Sequence, residues 1–202
     1  ALVSTRDVRW ESLGYTQPFR QFDYVRNAFG YWRTADTAGT PLRRLAFGEE
    51  KPTRRHPVVS CTAQGDAYLD TKGRMHIVYR RAGASTGGEA EEVRYAVVSP
   101  DGAALTDVKV PWSAGVYCRV FQDERGRFYL LGSDGVIFSG GTEAVSFKTK
   151  TKLKLRWHQV EDAGFGISAP RTGTHRANVI DVVYPSGGGT KWIYARVLLH
   201  GD

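Results

Sequence analysis

Methionine occurs once in the 202 residues and cysteine twice, at Cys61 and Cys118. Two cysteines are too few for a disulfide framework, although they leave open one bridge or two buried thiols. Neither belongs to a Cys-x-x-Cys or a His/Cys cluster, so a cysteine-built zinc site is not expected. There is no apolar run of the length a membrane helix needs. No positively charged leader with an apolar core is visible at the start. Phosphate-binding loops, Gly-x-Ser-x-Gly, His-Glu-x-x-His, EF-hand loops and dinucleotide fingerprints are all missing, and nothing in the motifs calls for a cofactor or a metal. Convincing helical periodicity is absent too: "GGEAEEVRY" is short and runs straight into alternating residues.

Glycine and aromatic residues are plentiful. There are 23 Gly, 5 Trp, 10 Tyr and 9 Phe, a balance that favours strands and turns. The formal net charge of +7 draws polyanions or simply keeps the chain soluble.

The chain repeats itself. "AYLDTKGRMHIVY" (67–79) aligns without gaps on "VFQDERGRFYLLG" (120–132), matching Asp70 with Asp123, Gly73 with Gly126 and Arg74 with Arg127. Asp-x-x-Gly-Arg is a tight reverse turn, because Asp favours turn entry and Gly supplies positive φ. The apolar and aromatic flanks make each copy an antiparallel hairpin. Further hairpins follow at 93–111, around Ser-Pro-Asp-Gly, and at 178–199, around Pro-Ser-Gly-Gly-Gly; looser cognates lie at 29–47 and 133–157.

Two hairpins per period of about 50 residues make four strands per unit, the size of a propeller blade. The expected fold is therefore all-β: a β-propeller of four-stranded antiparallel blades. About four blades are expected, at about 1–50, 51–112, 113–160 and 161–202, in one domain or in a fragment of a larger propeller. An incomplete ring would expose a blade face and favour self-association or completion by further blades.

The segments "GDAYLDTKGRMHIVYRR", "YCRVFQDERGRFYLL" and "IDVVYPSGGGTKWIYARV" resemble the BNR-repeat, sialidase-like propeller superfamily, and within it the branch of ulvan lyases and related rhamnose–glucuronate lyases. The resemblance spans most of residues 60–200 and corresponds to the C-terminal part of such a propeller. The strict Ser-x-Asp-x-Gly-x-x-Trp box is absent, and "SDGVIF" (133–138) only echoes it. The resemblance implies a secreted or periplasmic carbohydrate-active protein that cleaves an anionic, uronate-containing polysaccharide by β-elimination. A non-catalytic propeller that binds glycan or protein, and a glycoside hydrolase, are the alternatives.

Propeller ligands sit where inner strands and their loops converge. Three stretches qualify: "TRRHPVVSC" (53–61), "AGVYCR" (114–119) and "PRTGTHRAN" (170–178). Elimination next to a carboxylate needs a cation on that carboxylate, a base and a proton donor. Arg suits the first task through its bidentate fork, and His suits proton transfer through its near-neutral pKa. The expected catalytic groups are His175, Tyr117 and His56, and the expected substrate-binding groups are Arg176, Arg119, Arg55, Asp66 and Arg171. Each also has a plain alternative as a loop residue making local hydrogen bonds. Asp66 is of further interest because it aligns with Arg119 at the start of the repeat, and it is the best isolated carboxylate for a hydrolase.

Other polar residues read as structural. Asp70 and Asp123 form the turns, and His76, aligned with Tyr129, is a strand residue. Glu49 and Glu50 are adjacent, and neighbouring strand residues point oppositely, so they cannot face one another as glycosidase carboxylates. Lys148, Lys150, Lys152 and Lys154 would share one face of a strand, the signature of a protected edge. They lack interleaved aromatics, so nucleic acid is not an expected partner.

Overall fold

In the computed structural model, side chains are described at residues 66–80, 92–112, 118–153, 168–169, 177–185 and 191–199; at 2–9, 24–33, 43–47, 60–62, 81–82 and 166–167 only the strand backbone is described. All regular structure among the described residues is β, and no helix is long and apolar enough to cross a membrane.

The strands are β1 (Leu2–Arg9), β2 (Tyr24–Arg33), β3 (Arg43–Phe47), β4 (Ser60–Thr62), β5 (Ala67–Leu69), β6 (Met75–Ala82), β7 (Glu92–Val98), β8 (Ala104–Lys109), β9 (Cys118–Gln122), β10 (Phe128–Gly132), β11 (Val136–Gly140), β12 (Val145–Lys152), β13 (Gly166–Ser168), β14 (Val179–Pro185) and β15 (Trp192–Leu198). Among the described residues they form four sheets, each from one contiguous stretch of chain: β1-β2-β3; β4-β6-β7-β8, with β5 also on β6; β9-β10-β11-β12; and β13-β14-β15. In the second sheet β4 and β5 both pair with β6 and not with each other; in the other three, neighbours in sequence are neighbours in the sheet.

The turns explain the hairpins. Gly73, Gly102, Gly126 and Gly135 all have positive φ, between 73° and 94°, where a side chain would be strained. In each of these turns the glycine N–H donates to the carbonyl three residues back: Asp70, Ser99, Asp123 and Gly132. The Ser-Pro-Asp-Gly turn uses a serine where its relatives use aspartate. Ser99 Oγ accepts from Ala103 N at 2.9 Å and is hydrogen-bonded to the Asp101 carboxylate.

By its contacts the chain divides into two compact units, residues 1–64, 79–95 and 108–114, and residues 65–78, 96–107 and 115–202. The first unit buries Tyr79, Val93, Tyr95, Val110 and Trp112, and Val110 N donates to Val93 O at 2.8 Å. In the second, Phe121, Tyr129, Leu131 and Ile137 pack against Ile180, Val182, Tyr184 and Leu199. Each such side chain contributes on the order of 1.5–3 kcal/mol through burial.

The lysine stripe lies on β12, an edge strand of its sheet, with Lys148, Lys150 and Lys152 exposed. Solvated lysines there oppose edge-to-edge pairing. Lys154 falls outside the described residues.

Candidate functional site

Two kinds of buried polar arrangement stand out in the second unit: clamps at the Asp-x-x-Gly-Arg turns, and an ion pair between strand starts. The turn chemistry dictates the clamps. With Gly73 in positive φ, the chain closes so that Asp70 faces Arg74 twice: Asp70 Oδ1 accepts from the Arg74 backbone N at 2.8 Å, and Oδ2 accepts from Arg74 Nε at 2.7 Å. The second copy repeats this to within the same distances. Asp123 Oδ1 accepts from Arg127 N at 2.8 Å, and Oδ2 from Arg127 Nε at 2.7 Å.

A further side-chain donor completes each clamp from six residues after the aspartate. In the first copy it is His76 Nε2, at 3.2 Å from Asp70 Oδ2; in the second it is Tyr129 Oη, at 3.1 Å from Asp123 Oδ2. Asp70 is an acceptor only, so the hydrogen bond assigns the proton to Nε2 of His76. Burial pushes the carboxyls up, but the hydrogen bonds outweigh it and hold both well below the usual carboxylate range: His76 and Arg74 do this for Asp70, and Arg127 and Tyr129 for Asp123. Burial pushes His76 below its ordinary 6.5 despite the Asp70 charge, and it pushes the Tyr129 phenol up.

A buried His–Asp pair invites a catalytic reading, and the surroundings refuse it. His76 is fully buried and stacks on Phe128, with ring centroids 3.9 Å apart and planes at 27°. Tyr68 meets Phe128 edge-on at 5.9 Å, and its hydroxyl donates to Gln122 Oε1 at 3.2 Å. Gln122 Nε2 in turn donates to Gly126 O at 2.8 Å, inside the second turn. Tyrosine does the same work in the other copy, so the histidine is one of two interchangeable donors to a turn. On the outer side, Glu143 pairs with both Lys72 and Arg74.

The second kind of site is Asp66 with Arg119. Asp66 is only 6% exposed and accepts three hydrogen bonds: from its neighbour Ala67 N at 2.9 Å, from Val120 N at 3.0 Å and from Arg119 Nη1 at 3.1 Å. Arg119 projects from the start of β9 with its side chain 32% exposed. A buried carboxylate holding one corner of a guanidinium leaves the rest of the fork oriented and reachable. That arrangement suits a carboxylate or other oxyanion ligand.

Of the eight residues expected from the sequence, the structure describes Asp66 and Arg119 and brings them into contact. His175, Tyr117, His56, Arg176, Arg55 and Arg171 lie outside the described residues. Sequence reasoning placed Asp66 and Arg119 at equivalent positions and missed that they touch; the signal was the repeat offset itself, because β5 and β9, the first strands of the two copies, lie against each other. Among the described residues, no group of three or more His, Cys, Asp or Glu could hold a metal ion. No family model, curated protein or solved structure matches the chain.

Proposed function

We propose that this chain is a β-propeller, or part of a larger one, that takes an anionic, uronate-containing polysaccharide and cleaves it by β-elimination outside the cell or in the periplasm. Support for the propeller comes from four successive antiparallel sheets among the described residues, each contiguous in sequence, two of them meanders: β9-β10-β11-β12 of four strands, and β4-β6-β7-β8 with β5 as a fifth strand on β6. Contacts between the strand regions joining those two meanders recur at the repeat step, Asp66 to Arg119 and Tyr68 to Gln122.

The observation that carries the ligand class is the partly exposed Arg119 side chain whose guanidinium is held by buried Asp66. A uronate carboxylate on Arg119 would have its charge neutralised, which acidifies the proton on the adjacent carbon. A base removes that proton, the electron pair forms the new carbon–carbon double bond, and the glycosidic oxygen on the β-carbon leaves and is protonated. His175, Tyr117 and His56 are the candidates for the two proton transfers. Arg176, Arg55 and Arg171 are candidates for further carboxylates along the polymer.

A second reading is a non-catalytic binder of the same polymer. It is favoured by the full engagement of His76, Asp70 and Asp123 in turn clamps. Incubation with a panel of polyuronates decides between them. A lyase releases unsaturated uronates, detected by their ultraviolet absorbance; a hydrolase releases reducing ends without that absorbance; a binder releases neither and retains affinity. Absence of affinity for every polyuronate rejects the ligand class.

A further inference from the structure

Of the described edge strands with several exposed side chains, β8, β12 and β15, the last two are built oppositely. β12 carries Lys148, Lys150 and Lys152 into solvent. β15 reads Trp-Ile-Tyr-Ala-Arg-Val-Leu and pairs only with β14 among the described strands. Its inner residues Ile193, Ala195 and Val197 pack on the core of the second unit, while Trp192, Tyr194 and Leu198 are 64%, 59% and 57% exposed. Val183, opposite Tyr194 on β14, extends the same patch. The strand's one charge, Arg196, is already paired with Asp181 at 2.8 Å, and Asp181 also accepts from the Tyr194 hydroxyl at 2.6 Å. An apolar strand of high β-propensity with a neutralised charge and an open edge is what soluble proteins avoid unless the edge is used.

We propose that the open edge of β15 pairs with β15 of a second copy of this chain, antiparallel about a two-fold axis at Ala195. The sequence around Ala195 is self-complementary in that register. Trp192 comes opposite the partner's Leu198, and Tyr194 opposite the partner's Arg196, placing a guanidinium against an aromatic ring in the centre and apolar pairs at both ends. The sheet β13-β14-β15 is three strands wide where β9-β10-β11-β12 and the path β4-β6-β7-β8 (with β5 beside β4 on β6) are four wide, so a strand on the β15 edge fills the place that the fourth strand takes in those sheets. An isologous contact of this kind closes on itself and leaves no further edge to propagate. It is independent of the polysaccharide reading.

Sedimentation of the full chain over a range of concentrations tests it, without added polymer and with a polyuronate. The expected result is a monomer–dimer equilibrium. Tyr194→Lys sets like charges opposite one another and should weaken the dimer by about tenfold or more, as should Leu198→Lys, with thermal unfolding of the monomer little changed. Ala195→Cys should give an intermolecular disulfide under mild oxidation, whereas Leu105→Cys, exposed on another strand, should not. A chain that is monomeric at all concentrations overturns the proposal, as does a dimer indifferent to both lysine variants. A monomer whose Trp192→Ala variant loses affinity for polyuronate also overturns it, since the face then binds glycan.

Discussion

Asp66 and Arg119, 53 residues apart and equivalent in the two best copies of the repeat, are joined by a 3.1 Å ion pair. The first copy contributes the buried anion and the second the partly exposed cation. Asp66 also takes the backbone N–H of Val120, so one carboxylate fixes both the side chain and the strand start of the next copy. The repeat is thus a contact rule as well as a sequence pattern.

Removing the anion should harm the fold more than removing the cation. Asp66→Ala leaves the Val120 N–H and one corner of the Arg119 guanidinium without their acceptor and should lower stability by about 2–4 kcal/mol in denaturant unfolding. Arg119→Gln leaves Asp66 its two backbone donors, and the partly exposed arginine can be screened by water, so the loss should be about 1 kcal/mol. A larger loss for Arg119→Gln than for Asp66→Ala would contradict this division of roles.

The clamps make stability fall with acid in two stages. His76 has a folded pKa below its ordinary 6.5, so the unfolded chain takes up that proton first. Its contribution is whole above 6.5 and declines as pH falls through 6.5 toward the folded value. Asp70 and Asp123 have depressed folded pKa values; their contribution is whole above the ordinary 3.8 and is lost only as pH falls through the folded values. His76→Gln, which can still donate to Asp70, should flatten the melting-temperature profile in the interval just below pH 6.5 and leave the steeper acid limb. An unchanged slope in that interval would show that His76 is not the group responsible.

Two adjacent glycines should respond differently to the same methyl group. Gly140 lies where the β11–β12 register shifts, and a Cβ there would strike the backbone of Ala144, Ser146 and Val145, with Ser146 N at 2.6 Å. Nothing stands within 4 Å of a Cβ at Gly141. Gly140→Ala should therefore destabilise by about 1–3 kcal/mol, and Gly141→Ala should stay within about 0.5 kcal/mol of the parent. Equal thermal shifts would contradict the bulge geometry.

The parts of this fold legible in the sequence were those set by local chemistry. The Asp-x-x-Gly-Arg turns announced Asp70 and Asp123 as turn formers and Gly73 and Gly126 as positive-φ residues, because a tight turn leaves few other choices. Alternation of Lys148, Lys150 and Lys152 announced an exposed edge. The alignment of His76 with Tyr129 was visible, but their shared task as donors to the clamp depends on how the hairpin closes behind the turn. Contact between Asp66 and Arg119 depends on β5 lying against β9, and pairing rules along a single strand are silent about it. The exposure of Trp192 and Tyr194 is of the same kind: alternation gave β15 two faces, and only the packing of Ile193, Ala195 and Val197 decided which one stayed outside.

The central functional claim is that Arg119, oriented by Asp66, receives a carboxylate of an anionic polysaccharide. Titration calorimetry of the full chain with a polyuronate and with a neutral glucan of similar length tests it directly, for the parent and for Arg119→Gln below its melting temperature. The account predicts binding of the polyuronate alone, weakened about tenfold or more in Arg119→Gln. Equal affinity for both polymers, or polyuronate affinity unchanged by Arg119→Gln, would contradict it.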